Sequence, residues 1–251
     1  MDDEMSIEDY LAEGGMLTSP ANVPPRYRAE LLKLMATFVD SELAGAAGFA
    51  DAINLGPGIK ERIAAAKITL EKTDNAHKVL NVMSDFGVDE TRYANHHPWT
   101  ERLPRDADIG ATRSEHDMRL AVFNYPLAGW GDAVTMNLLM GLAVGVQLED
   151  FQKVSYQPLA EAFRAVAPVE ARHAELAEEG IARLMSESRG ESLQASVGYW
   201  WPRVTASFGT GGRFEATKAM GLRHRSGADM QSDWAAQAGA ALKRNGLQPP
   251  K

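Results

Sequence analysis

Two acid-x-x-His pairs stand out in this chain: Asp74 with His77 in TDNAH, and Glu170 with His173 in VEARH. On a helix, residues three apart share a face about one turn from each other, so a carboxylate and an imidazole can reach the same cation. Two further acids sit in apolar company. Glu42 lies in FVDSELAGAAGF, where a carboxylate needs an internal partner, and Asp132 opens the hydrophobic stretch GWGDAVTMNLLMGLAVG. In chain order these read acid, acid-x-x-His, acid, acid-x-x-His, the set that a carboxylate-bridged pair of irons takes from four helices. Hard carboxylates bridge such a pair and neutral imidazoles cap it. The expected metal ligands are therefore Glu42, Asp74, His77, Asp132, Glu170 and His173.

Each piece also has an ordinary reading. An isolated acid-x-x-His pair is usually a solvated surface pair. Glu42 could serve a local hydrogen bond, and Asp132 could cap a helix after GWG. Glu71 lies one turn before Asp74 and could replace it or orient a histidine from behind. His96 and His97 fall in a connection and read as loop or interface residues. His116 and His224 lack acid partners at useful spacing, and Glu149 and Asp150 read as the acidic start of a helix. Phe123, Tyr125, Trp130 and Met136 could line a pocket or simply fill a core.

The elements that must carry these residues are helical. Ala, Leu, Glu, Met and Arg dominate the long segments, and alternating β-branched runs are hard to find. Breakers at Gly14, Gly15, Pro20, Pro24 and Pro25 mark residues 1–24 as an irregular arm. Helices are expected over about 25–53, 59–86, 113–147 and 149–187, the last with Pro158 and Pro168 as possible kinks. Residues 88–112 connect the second to the third, and shorter helical pieces follow from about 190. Glu42 precedes Asp74 by 32 positions and Asp132 precedes Glu170 by 38, spacings suited to two antiparallel hairpins. The fold class is all-α: a ferritin-like four-helix bundle with a long crossover between helices 2 and 3 and a C-terminal helical extension, in one domain over 25–251.

Composition narrows the function classes. The 251 residues hold 26 Lys and Arg against 34 Asp and Glu, a net charge of -8, and 45% are hydrophobic. An acidic chain without a basic block is a poor nucleic-acid binder, because phosphates demand cationic contacts. Cysteine is absent, which excludes disulfides, thiolate metal sites and a cysteine nucleophile. The acidic start MDDEMSIEDY lacks the order of a signal peptide, and NLLMGLAVGVQL reads as a buried helix rather than a membrane span. A cytoplasmic location is expected. SFGTGGRF lacks the Gly-Lys-Ser/Thr of a phosphate loop.

The segments SELAG, TDNAH, VFNYPLAGWGD, VEARH and YWWPRVTASFG occur in an order that resembles the catalytic subunit of ring-1,2-phenylacetyl-CoA epoxidase, a phenylacetate-degradation monooxygenase. The resemblance runs from about Pro25 to Pro250. It implies a di-iron centre on the six residues above and insertion of one oxygen atom into the ring of an aromatic acyl-CoA. It also implies a related metal-free helical subunit as partner and an external reductase as electron source. Arg203, Lys218, Arg223 and Arg225 could then meet CoA phosphates or form a solvated basic face. Two departures matter: the family usually has glutamate where Asp74 stands, and its catalytic subunits usually continue past the position of GLQPPK. Two alternatives remain, a non-catalytic structural subunit of such a complex and a ferritin-class iron- or peroxide-handling bundle. The adjacent tryptophans of GYWWPRV would suit an interface. A lysine–carboxylate pair plugging the centre would remove the oxygenase reading and leave only the bundle.

Overall fold

A computed structural model describes residues 7–113, 117–187, 190–209, 212 and 214–250. Within them the chain is all-α. A short α1 (Ile7–Ala12) precedes the first long helix, α2 (Pro25–Ala52), and its antiparallel mate α3 (Ile59–Ser84). A one-turn-plus α4 (Glu90–His96) opens the crossover. The second hairpin is α5 (Trp130–Phe151) with α6 (Gln157–Ser186), followed by α7 (Gly190–Thr205), α8 (Phe214–Ala219) and α9 (Gly227–Arg244). α2 packs on α3 and α5 on α6; α3 against α6 joins the hairpins, and α7 and α9 cover the outer side of α5.

Local chemistry sets the boundaries. Pro25 begins α2, where its missing N–H costs nothing. Asp89 caps α4 by accepting from the Arg92 N–H at 2.8 Å, and Ser226 caps α9 through Asp229. The third long helix starts at Trp130, later than the expected 113: Pro126 and the left-handed Gly129 (φ 153°) end an irregular run first. α5 then continues to Phe151, so Glu149 and Asp150 close that helix instead of opening the next. Asp150 is fully buried there and accepts from the His224 N–H at 2.9 Å. Pro158 sits harmlessly in the first turn of α6, and Pro168 lies inside it without interrupting it.

The arm is not free. Leu17 pairs with the α5–α6 turn, donating to Ser155 O at 2.7 Å and accepting from the Gln157 N–H at 2.8 Å. Among the described residues the core has two large clusters and a small third one around Phe49, Ala65, Ile68 and Ala133. One large cluster gathers Phe38, Val79, Phe151, Tyr156 and Phe163 between the hairpins, and the other gathers Leu138, Leu139, Trp200 and Trp234 around α5, α7 and α9. α5 is long and apolar enough to cross a membrane by composition, but 78% of its most apolar window is buried in this core.

Candidate functional site

Three of the six expected ligands meet, and a fourth residue joins them that spacing arguments passed over. Glu42 of α2, Lys72 of α3 and Glu170 of α6 are each at most 5% exposed. The Lys72 ammonium donates to Glu42 Oε1 at 3.1 Å and to both Glu170 oxygens at 3.1 and 2.9 Å. Asn75, one turn on, donates to Glu170 Oε1 at 3.0 Å. His173 is fully buried, with Nε2 2.8 Å from Glu71 Oε2. Its Nδ1 lies 3.3 Å from Glu170 Oε1 but is not aligned as a hydrogen bond. Gly45, one turn after Glu42, gives the lysine stem its path: a Cβ there would come within 3.3 Å of Lys72 Cδ and of the Phe123 ring.

The other three expected ligands are elsewhere. Asp74 and His77 have side chains 61% and 60% exposed; Asp74 pairs with Lys78, and His77 lies 3.5 Å from Glu90. The reason is helical phase. The buried stripe of α3 runs Ala65, Ile68, Lys72, Asn75, Ala76, Val79, and at about 100° per residue position 74 is turned roughly 200° from position 72. Asp132 is buried, but its partners lie at the start of α5. Arg105 grips it with two hydrogen bonds of 2.8 and 2.9 Å, and Ser196, Trp200 and the Ala128 N–H each donate to it at 2.9 Å. It therefore anchors α5 to α7 and the crossover. Trp200 is consumed by this contact and is fully buried, and Trp201 packs at a tilt against Trp234, so both tryptophans of GYWWPRV have partners within the chain.

The residues present do not fit a pair of irons. α5 brings Met136, Asn137, Met140 and Gly141 to this level, none of them acidic, and the void they share with Lys72 and Glu170 is about 10 Å³. That is the lower limit for one water molecule. The cluster satisfies its charges internally. Burial raises the Glu170 carboxyl, but the Lys72 ammonium and then His173 outweigh it and hold Glu170 well below the usual carboxylate range. Burial followed by repulsion from Glu170 pushes Glu42 up to about 8. Burial opposes the Lys72 charge, yet Glu170 and Glu42 overcome it and raise the lysine further. The directions of these shifts favour one ammonium, one carboxylate and one protonated carboxyl. Two acids with opposed shifts around a shared proton is the behaviour of a coupled pair.

A family model described as phenylacetic acid catabolic protein matches residues 15–251. The chain belongs to that family. No curated protein matches it. Membership in this phenylacetic acid catabolic family bears out the likeness read from SELAG, VFNYPLAGWGD and YWWPRVTASFG, and it sets the metabolic context as phenylacetate breakdown.

Two further features of the chain involve α2. A cavity of about 150 Å³ lies between α2, α5 and the segment after α7, lined by Phe38, Glu42, Phe123, Met140, Gln147 and Phe208 among others. Glu42 Oε2 and Gln147 Nε2 are buried there without partners. A wider depression shares Arg113, Phe208 and Arg223 with the cavity and adds Lys33 and Arg225. Of the candidate pocket residues, Phe123 reaches this cavity and Met136 lines the small void and a second one of about 20 Å³, which Tyr125 also lines beneath Arg203, while Trp130 faces a groove beside α6. Arg223 and Arg225 line the basic depression, and Lys218 lies over the Phe214 ring.

The second feature fastens the crossover to α2. His97 Nε2 lies 3.1 Å from Asp40 and 3.0 Å from Asp117, and the three ligand atoms all fall within 4.8 Å of one another, close enough to hold a cation. Every carboxylate oxygen there already has a donor: Tyr93 Oη and the Met118 N–H on Asp40, and Arg119 on Asp117. Burial would lower the His97 value, but hydrogen bonds and charge from Asp40 and then Asp117 raise it above 6.5. His116 falls outside the described residues.

Proposed function

We propose that this chain is a metal-free helical subunit of a phenylacetate-catabolising oxygenase assembly. It supports a catalytic relative rather than carrying oxygen chemistry itself. The observation behind this reading is the Lys72 ammonium held between Glu42 and Glu170 at 2.9–3.1 Å, where the irons of a catalytic bundle would need those carboxylates. Asp74 and His77 point to solvent and Asp132 is committed to Arg105, so one histidine and two inward carboxylates remain at the centre. On this reading the iron, the electrons of the reductase and the ring oxidation of an aryl acyl-CoA belong to the partner. Anaerobic loading with ferrous iron, followed by desalting and elemental analysis, tests it. The expected result is well below one iron per chain, and two irons per chain would overturn it.

A second reading concerns ligand binding, and the cavity favours it. A cavity of about 150 Å³ is large enough for one benzene ring. This one lies under a depression carrying Lys33, Arg113, Arg223 and Arg225. An aromatic acyl group could enter the cavity while its anionic CoA portion meets the basic residues, with no oxidation following. Titration calorimetry with phenylacetyl-CoA against free CoA tests this: equal affinity for both would show that the cavity contributes nothing.

A further inference from the structure

The outer face of α3 carries an apolar seam that none of the described residues covers. Ile59, Ile63 and Leu70 are 73%, 61% and 69% exposed, and Leu55 just before the helix is 45% exposed. With Tyr10 they make up the exposed large hydrophobics among the described residues. A solvated helix does not need them, because the inner face of α3 already packs on α2 and α6. Their order is regular. Ile59, Ile63, Ala66, Leu70, Thr73 and His77 follow steps of four, three, four, three and four, the 3.5-residue repeat by which two helices pack side by side. All six positions are exposed.

The charges beside the seam select an occupant. Lys60 and Lys67 flank one side, with Asp74 further along it, and Arg62 flanks the other. A parallel copy would set Arg62 against Lys67 of its mate, a like-charge contact. An antiparallel copy sets Lys60 against Asp74 twice, once on each side of the two-fold axis. In the same register Ala66 lies opposite Leu70, small against large, and Ile63 lies opposite Thr73. Lys67 falls near the axis, where Glu71 at 3.6 Å within each chain offsets its charge.

We propose that this chain self-associates through α3, seam against seam, antiparallel about a two-fold axis. Such a contact is isologous, as in most small homo-oligomers. It does not depend on the metal-free reading, and iron analysis and subunit mass report on the two separately.

Sedimentation equilibrium of the full chain tests the proposal, with an expected mass twice 27.3 kDa. Ile63→Lys with Leu70→Lys should weaken association by at least about 100-fold, since each buried aliphatic side chain is worth roughly tenfold or more. Both sites are exposed, so circular dichroism and melting of the monomer should not change. Lys60→Glu should weaken the dimer, and Lys60→Glu with Asp74→Lys should restore it, which a contact with an unrelated partner would not do. The native chain has no cysteine. Ala66→Cys mixed with Leu70→Cys should therefore cross-link on mild oxidation, whereas Ala66→Cys alone should do so only in a parallel pair. A monomer at every concentration, a dimer indifferent to the double lysine variant, or failure of the charge swap to restore association would overturn the proposal.

Discussion

Replacing Lys72 with methionine isolates the charge at the centre of the bundle. The unbranched stem keeps its path beside Gly45, while the ammonium facing Glu170 at 2.9 and 3.1 Å and Glu42 at 3.1 Å is lost. Removing one partner of a buried ion pair costs roughly 3–5 kcal/mol, because the remaining charge has no water to turn to. For a domain of this size about 1 kcal/mol moves the melting temperature by roughly 2–4 °C, so the fall should be about 6–20 °C. The loss should depend on pH in a defined direction. In the native protein Glu170 lies well below its ordinary 4.5, so the stability it contributes is present above 4.5 and is lost only as pH falls on through its lowered folded value. Without Lys72, burial and the neighbouring carboxylate raise Glu170, the folded state binds protons the unfolded chain releases, and stability falls as pH rises above about 4.5. The gap between variant and native protein should thus be full by pH 7–8 and narrow toward pH 4, where the variant's Glu170 is protonated, and close only at lower pH, where the native Glu170 is protonated in turn. Adding Glu170→Gln to Lys72→Met removes the stranded charge and should recover much of the loss at pH 7.5. Melting followed by circular dichroism across pH 4–8 reads all of this. A loss of the same size at pH 4 and pH 8 would refute the charge argument and assign the effect to packing.

Glu42→Gln tests the other acid of the pair. Glu42 is raised to about 8, so native stability should decline between about pH 4.5 and pH 8 on its account. The variant should match the native protein near pH 5 and exceed it at pH 8 in urea titrations. Asp132→Ala removes the anchor shared by Arg105, Ser196, Trp200 and Ala128 and leaves the buried Trp200 N–H unpaired. It should cost about 3 kcal/mol in urea unfolding, discounted from a fully buried pair because Arg105 is one-third exposed, and should give the same iron content as the native chain. His97→Gln should destabilise most below pH 6.5. The raised His97 contributes stability that is complete there and lost as pH rises through its folded value, so the gap should narrow toward pH 8. Denaturation midpoints at pH 6 and pH 8 measure it.

The bundle was legible because helix propensity and apolar periodicity act over long windows. The stretches around α2, α3 and α6 each exceed 25 residues; the boundaries misplaced by more than two turns are the start of α5, delayed by the Pro126–Gly129 run, and the start of α6, delayed because α5 continues to Phe151. Glu42, Glu170 and His173 were legible for a related reason. Each lies within an apolar or small-residue stripe, so burial followed once the helices were placed. Asp132 was read as buried, correctly, but its partners come from α7 and the crossover at sequence separations of 27 to 68, which no local pattern specifies. The Asp40–His97–Asp117 cluster went unseen for the same reason: His97 and Asp117 lie in irregular chain, and Asp40 differs from a surface acid only through the loop that covers it.

Lys72 is the instructive omission, because its signal is periodic and short-range. Ala65, Ile68, Lys72, Ala76 and Val79 step by three and four along α3, so a lysine stands in a buried stripe. Asp74 and His77 keep the i, i+3 spacing of a metal pair but stand out of phase with that stripe. Spacing places two ligands relative to each other, whereas phase decides whether either faces the bundle. A carboxylate and imidazole three apart on α3 could reach Glu170 only from inward positions, either 72 with 75 or, one turn on, 76 with 79. This chain has lysine and asparagine at the first pair, and alanine and valine at the second, with Ala76 and Val79 almost fully buried. Neither pair offers an iron a single anionic or imidazole donor. The inward positions instead carry one cation and one amide, both bonded to Glu170, so the carboxylates that α2 and α6 bring to the centre are neutralised from within the chain.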